Sequence, residues 1–580
     1  AFDGRRPARW GLAAETLALG VLALSPIPSR VAEESVAVRF AARAPGQALV
    51  DWRETPYEHV ALGEAGRSLS LYRSGSYSGT FPDPAEHETA AHLLSALAPD
   101  VRRVMAIGDV HLGELPFLLR HGIEHLELVL LDRQAFRMVR SHLPPAARRA
   151  LDDPRVQIVF DDPRHHLGVT EGRFDLILID RPPPETLLLA RLTTVEAIRQ
   201  ASRRLAPNGV LVVRLATPPN ALVGSAADMA ASLFGALGEV FSAVRAAPGH
   251  RGLLLGGSDR RAVTLDPDVL AERWRRHAAS SEVFVPQLFE VLYPPERVVE
   301  FSEQLERSSR RVTPSRDARP AAFLHALALL QQTAAGRSGA WLGHVAHAPA
   351  WGLTAVAVVP SLLVLLVVGL RRARAPAVPA GALPAVHALA ATGASGMLWS
   401  LLLLLSFQTR VGALYGQLGA LTGLFMAGLG VGGWVGIRVT HRWGPRPTPC
   451  WALAFAVALP VVLEGIGAWS EMPRWIALAG HGLLIAAAGA ATGGVVPAAT
   501  CVLERAGRDA VSMGAAVVTA DHGGAALGAL VGAVLLVPVL GLPVTAGVLA
   551  VLQGLSVVIL MLGSSRAGRP VAGGASGVRE

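Results

Sequence analysis

Between residues 349 and 563 the sequence is almost entirely apolar residues, glycines and short basic loops. Nothing else restricts the possible folds as strongly. An apolar stretch of about 20 residues spans a bilayer as a helix. Seven such stretches are expected, at approximately 350–370, 383–407, 415–437, 450–468, 475–500, 511–538 and 543–562. A shorter one, Trp10 to about Ile27, carries Glu15 and reads as the end of a longer membrane region. The chain is 51% apolar with mean hydropathy +0.40, and this excess lies in the C-terminal part. Residues 30–345 are mixed and charged, as in a soluble domain. The expected organisation is a membrane segment at 1–29 and a small sheet with a linking helix at 30–100. A nucleotide-fold domain at 101–345, a seven-helix membrane domain at 349–563 and a disordered tail at 564–580 follow.

The net charge of +8 would suit nucleic acid in a soluble protein, but here the arginines flank apolar segments. Arg5, Arg6 and Arg9 precede the first segment. Arg371, Arg372 and Arg374, then Arg438, Arg442 and Arg446, then Arg505 and Arg508, then Arg566, Arg569 and Arg579 follow alternate later ones. The intervening loops hold little beyond Arg410 and Arg474. The positive-inside rule makes the arginine-rich side cytoplasmic, so the soluble domain is expected outside. The bilayer is the expected partner, and nucleic acid is not. Cys450 and Cys501 make neither a disulfide framework nor a metal site.

Glycines recur every four residues at Gly428, Gly432 and Gly436, and at Gly524, Gly528 and Gly532, a pattern that lets helices approach closely in lipid. Asp521 and His522 fall well inside a span. Ionisable groups there are functional candidates.

In the soluble part, "VMAIGDVHLG" (Val104–Gly113) reads as a buried strand entering a glycine turn. "LELVLLD" ends in Asp132, "RVQIVFDD" in Asp161 and Asp162, and "RFDLILID" in Asp180; "APNGVLVVRL" supplies a fifth strand. Short apolar strands alternating with helical stretches predict an α/β, Rossmann-like, doubly wound parallel sheet. Its ligands lie at the carboxyl ends of the strands, where Gly108, Asp109, Asp132, Asp161, Asp162 and Asp180 fall. "TPYEHVALGEAGRSLSLYRSGSYSG" before it predicts a small antiparallel sheet.

This order, with "DPAEHE", "DDPRVQIVFDD" and "FDLILID", resembles the spermidine synthase family of polyamine aminopropyltransferases, which share the class I methyltransferase fold. "TPSRDARPAAFLHALALL", "GASGMLWSLLLLLSFQTRVGALYGQLG" and "TADHGGAALGALVGAVLLVPVLGL" resemble its membrane-fused branch, often described as fused MFS/spermidine synthase proteins. The resemblance implies a decarboxylated S-adenosylmethionine donor and a polyamine acceptor. It also implies Asp180 as the base that takes the amine proton, Asp161 or Asp162 on the adenine side, and His87–Glu88 near the acceptor.

Departures from the family pattern are many. Its base loop is here "DRPPP", with Arg181 where a cationic substrate docks and Pro183 in place of a second acid. Its glycine-rich loop is here "GDVHL". Its ribose-binding acid falls at Leu130, for which Asp132 on the same strand face substitutes in principle. Its glutamine falls at Ser78 and its tyrosine at Glu86. Each lost hydrogen bond costs about 1–3 kcal/mol, and four or five would remove micromolar binding. The sequence therefore favours a degenerate site on an extracytoplasmic module with a binding or assembly role and a protein partner. An active aminopropyltransferase and a polyamine or small-solute transporter using Asp521 and His522 are the alternatives. His165–His166 and His121/His125 lack convergent acid or Cys partners, and no metal is expected.

Overall fold

In this computed structural model, the described residues are 21, 25–108, 112–180, 184, 186–215, 222–249, 252–277, 281, 283–335, 343, 345, 347–374, 382–412, 415–466 and 473–564. The expected first span lies almost wholly outside them. So do Asp109, residues 181–183 and the tail from residue 565.

Helix Ile27–Arg43 leads into four strands, β1 (Ala48–Glu54), β2 (His59–Ala65), β3 (Ser68–Arg73) and β4 (Ser76–Phe81). They pair in sequence order as an antiparallel sheet. Helix Pro84–Ala96 follows, with the Asp83 side chain accepting from the Glu86 N–H at its start. Seven more strands form the main sheet: β5 (Arg103–Ile107), β6 (His125–Leu130), β7 (Val156–Phe160), β8 (Phe174–Ile179), β9 (Leu205–Leu215), β10 (Ala243–Ala247) and β11 (Gly252–Gly257). Their order is β10-β11-β9-β8-β5-β6-β7. The five from β5 to β9 are parallel, and β10 and β11 form an antiparallel hairpin on the β9 edge. The strand alternation predicted the parallel five. The hairpin pairs strands that are close in sequence, and its glycine-rich second strand carries no alternating signal.

The central strands are buried on both faces, as the unbroken apolar runs require. One face packs Leu128, Leu130 and Phe136; the other packs Met105, Ile177 and Val213. Ile107 pairs with both Val129 and Ile179, and Leu130 pairs with Phe160. The carboxyl ends of β5, β6, β7 and β8 therefore line one edge. The chain leaves β5 toward β6 on one side and reaches β8 on the other, which makes a topological switch point between Gly108 and Asp180.

Among the described residues, seven helices are long and apolar enough to cross a membrane. They are Ala350–Arg374, Leu383–Arg410, Tyr415–Trp443, Pro447–Gly465, Arg474–Arg505, Ala510–Val531 (continued by a π turn to Leu540) and Leu542–Ser564. The glycine repeats do the packing expected of them. A Cβ on Gly428 would stand 2.2 Å from the Ala486 carbonyl oxygen, and one on Gly432 would stand 2.1 Å from that of Ala490. These contacts join the third and fifth spanning helices. Gly524 and Gly528 meet Ala390 and Ala394 in the same way and join the sixth to the second. Gly430, by contrast, faces open space.

Gly432→Leu should therefore destabilise the bundle by roughly 3 kcal/mol through overpacking, while Gly430→Leu should leave it unchanged. Thermal unfolding of the two variants in the same detergent checks this.

Candidate functional site

At the switch point, Gly108 has φ +123°, in the region that favours glycine, and directs the chain out of β5. The Asp180 N–H donates to the Ile107 carbonyl at 3.0 Å, which fixes Asp180 beside it. Arg214, near the end of β9, points its guanidinium at the same place. Its Nη1 is 3.3 Å from Asp180 Oδ2, and its Nη2 donates to both oxygens of Glu114 at 2.8 and 2.9 Å. Burial alone would lower the Arg214 pKa, but the carboxylates of Asp180 and Glu114 outweigh it and raise the value. Arg214 is therefore a fixed cation shared by two acids.

His87 lies over the same loop. A Cβ on Gly113 would stand 2.1 Å from its ring. Burial lowers the His87 pKa, with Glu114 and Asp83 opposing and Arg214 adding to the effect. Its neighbour Glu88 belongs elsewhere, 3.5 Å from His92 and 3.9 Å from Arg120. Adjacent helix residues point about 100° apart, so the expected His87–Glu88 pair is divided between two environments.

The three acids after β6 and β7 have different partners. Asp132 caps helix Arg133–His142, its Oδ1 accepting from Gln134 N and Ala135 N at 2.8 and 3.0 Å. Its Oδ2 is buried with no hydrogen-bond partner among the described residues. Asp161 Oδ1 accepts from the Asp162 N–H at 2.8 Å, and Oδ2 lies 2.5 Å from His165 Nδ1. Asp162 caps helix Pro163–Val169 through Arg164 N at 2.9 Å, and its Oδ2 pairs with Arg191 Nη1.

Arg191 is 2% exposed and makes the joint between the two parts of the chain. Its Nε donates to the Thr409 carbonyl at 2.8 Å and its Nη2 to that of Arg410 at 3.1 Å. These are the last two residues of the second spanning helix. Arg164 Nη1 also donates to Thr409 O, at 3.2 Å, and pairs with both oxygens of Asp317 at 2.7 and 2.8 Å. A helix end leaves carbonyls without intrahelical partners and carries partial negative charge. Two guanidinium groups satisfy both needs. A second contact comes from the same segment as Asp317, where the Leu542 N–H donates to the Ala318 carbonyl at 2.8 Å.

Gly412 permits this approach. It has φ +82°, and a Cβ there would stand 2.5 Å from Asp162 Oδ2 and 3.0 Å from Arg191 Nη1. Beside it lies a cavity of about 160 Å³. Tyr57, Leu131, Phe160, Asp161, Asp162 and Leu188 form its soluble wall. Phe407, Val411, Gly412, Gln417 and Leu478 form its membrane-side wall. Arg133 stacks on Phe160, 4.6 Å from the ring centroid.

Asp521 lies outside both clusters. It packs against Gly393, 3.6 Å from His522, whose side chain is 77% exposed on the bundle surface. His166 and His125 both bond Glu127, at 2.8 and 3.1 Å, so an acid partner does stand between these histidines. Among the described residues, no group of three or more His, Cys, Asp or Glu could hold a metal ion.

Sequence reasoning missed Glu114, Arg164, Arg191, Arg214 and Asp317. Arg214 offered a signal, because an arginine ending the apolar run "GVLVV" needs a buried acid nearby. The others lie in loops and short helices whose partners are distant in sequence.

The sheet order and the carboxyl-edge acids define a Rossmann-like nucleotide fold of the methyltransferase class. Residues 83–221 match the Spermine/spermidine synthase domain. The polyamine aminopropyltransferase of Mycobacterium tuberculosis (strain CDC 1551 / Oshkosh) is 29% identical over 174 residues, which are 29% of this chain and 33% of that protein. The polyamine aminopropyltransferase of Nitrosomonas europaea is 28% identical over 229 residues, 38% of this chain and 68% of that protein. The crystal structure of spermidine synthase from Thermotoga maritima aligns with TM-score 0.37 and 18% identity, covering 44% of this chain and 87% of that one. The chain thus spans a third of the length of the mycobacterial relative. The segment that matches this domain is followed, among the described residues, by seven apolar helices of membrane-spanning length.

Arg191→Met removes the guanidinium that pairs with Asp162 and donates to the Thr409 and Arg410 carbonyls, which should cost about 3–5 kcal/mol. Gly412→Ala adds left-handed strain and a clash, for roughly 2–3 kcal/mol. Chemical unfolding of the full chain, followed by tryptophan fluorescence, measures both.

Proposed function

We propose that this chain is an integral membrane protein whose spermidine synthase-like domain is a non-catalytic or altered-function module, with a binding or assembly role, on the extracytoplasmic side. One observation carries the reading: the carboxylate expected to act as base, Asp180, is held by Arg214. Aminopropyl transfer needs a carboxylate that accepts a proton from an amine, and acids that hold a cationic acceptor. Arg214 competes for both tasks. A unit charge about 4 Å away repels a cation by roughly 4 kcal/mol at an effective dielectric of about 20. That is half the free energy of micromolar binding, about 8 kcal/mol.

One observation favours the alternative, an enzyme acting on decarboxylated S-adenosylmethionine or a similar nucleoside. Asp132 Oδ2, buried and without a hydrogen-bond partner among the described residues, suits a ribose hydroxyl. The transport reading gains no such support, since Asp521 and His522 pair with each other at an exposed face.

Support for the extracytoplasmic side comes from where the arginines fall. The soluble domain meets the bundle at Arg410 and Leu542. Arg371, Arg372, Arg374, Arg442 and Arg505 lie at the opposite ends of their helices. The positive-inside rule makes that far side cytoplasmic.

The purified full chain, given labelled decarboxylated S-adenosylmethionine and putrescine, should yield no product above an Asp180→Asn control. Product that this substitution abolishes would overturn the reading. For the topology, Glu64→Cys in intact cells should react with a membrane-impermeant maleimide; labelling only after lysis would place the domain inside.

A further inference from the structure

We infer that Arg319 holds the phosphate of a lipid head group at the place where the soluble domain meets the bundle. The inference goes beyond the reading of the domain as a binding or assembly module, and it holds whichever side of the membrane that domain occupies.

Position comes first. Gly541 separates the span that ends at Leu540 from the span that begins at Leu542. A turn between two spans lies at a membrane surface, just outside the ~30 Å hydrocarbon core. A Cβ on Gly541 would stand 2.8 Å from the Ala318 carbonyl oxygen, 3.0 Å from the Cβ of Arg319 and 3.4 Å from its Cγ. The stem of Arg319 is therefore pinned at head-group level. The helix that follows it, Ala321–Ala335, agrees with this placement. Its Leu324 and Ala328 share one buried cluster with Leu353 of the first span, Leu540 of the sixth and Val548 of the seventh.

Charge selects the ligand. Arginines nearby are met by acids of the chain: Arg164 by Asp317, Arg191 by Asp162, and Arg316 by Glu196 and Glu239. Arg319 is half-buried, and its Nε is fully buried with no hydrogen-bond partner among the described residues. Burial lowers its pKa, and among the described residues no carboxylate opposes that effect. Its neighbour His325 brings no counter-charge. Burial first, then His347 and Arg319, push the His325 pKa down to about 4, so it is neutral near pH 7. A guanidinium drawn out of water without an anion is costly. Its planar fork matches a phosphate bidentately, and the head-group layer supplies phosphate at this level.

The same fork takes inorganic phosphate, and apolar surface decides between the two sources. Val544, three residues after Gly541, is 54% exposed, and Trp351 in the first turn of the first span is 77% exposed. Both offer a footing for acyl chains, and tryptophan is favoured at that depth. Inorganic phosphate gains nothing from either.

The test uses the full chain in lipid nanodiscs. The probe is phosphatidylglycerol with a diazirine in its head group, and the control carries the same head group on a diacylglycerol without phosphate. Photolabelling mapped by mass spectrometry should mark the peptide around Gly541 about tenfold more with the probe, the factor that one charge-assisted hydrogen bond commands. Arg319→Gln should remove that difference and Arg319→Lys should keep part of it. Labelling of the arginine-rich turn at 438–446 should not change in either variant. Excess inorganic phosphate should leave the labelling in place. In detergent free of phospholipid, Arg319→Gln should melt no lower than the parent, because it removes a cation that the protein itself does not pair. Equal labelling by probe and control, or indifference to Arg319→Gln, would overturn the inference. So would full competition by inorganic phosphate, which would assign Arg319 to a free anion. A lower melting point of Arg319→Gln in that detergent would overturn it too, since a group of the protein would then already meet the guanidinium.

Discussion

The second spanning helix ends at Arg410, and its last carbonyls need donors. Inside a folded protein, out of reach of water, an unmet carbonyl costs as much as a lost hydrogen bond. Arg191 and Arg164 reach out of the soluble domain and supply those donors. Each guanidinium must in turn be neutralised, because a buried unpaired cation is far more costly than a buried neutral group. Asp162 and Asp317 provide the counter-charge. This chain of acid, guanidinium and helix end ties a nucleotide-type sheet to a membrane bundle, and a cavity lined by Asp162 and Gly412 lies beside it.

The acids at the carboxyl edge of the sheet have different partners. Asp162 anchors the joint, Asp180 faces Arg214, and Asp132 caps a helix. Asp161 lies in the cavity wall, bonded to His165 and to the Asp162 N–H. Two of these acids meet the protein's own arginines, Asp162 with Arg191 and Asp180 with Arg214.

Much of this architecture was legible from residue order. The spans, the glycine contacts of Gly428, Gly432, Gly524 and Gly528, and the parallel strands all follow from local periodicity or spacing, which a single segment carries by itself. The acids at the strand ends were legible as positions but not as roles. The role of Asp162 depends on Arg191, 29 residues later, and on Thr409 and Arg410, which are more than 200 residues away. No local pattern encodes those distances. The division of His87 from Glu88 was hidden for a simpler reason: two neighbours on a helix cannot share one site, and their partners, Gly113 and His92, come from different elements. The β10–β11 hairpin escaped because a glycine-rich, fully buried strand shows no alternation.

The most direct test of this account is a disulfide across the joint. Leu188→Cys and Val411→Cys, introduced where Cys450 and Cys501 have been replaced by serine, stand on opposite walls of the same cavity. In native membranes under mild oxidation the account predicts a crosslink within one chain, formed quickly and lost when Arg191→Met is added. If no crosslink forms, or if it forms equally well without Arg191, the soluble domain does not depend on this charge chain for its seat on the membrane, and the account is wrong.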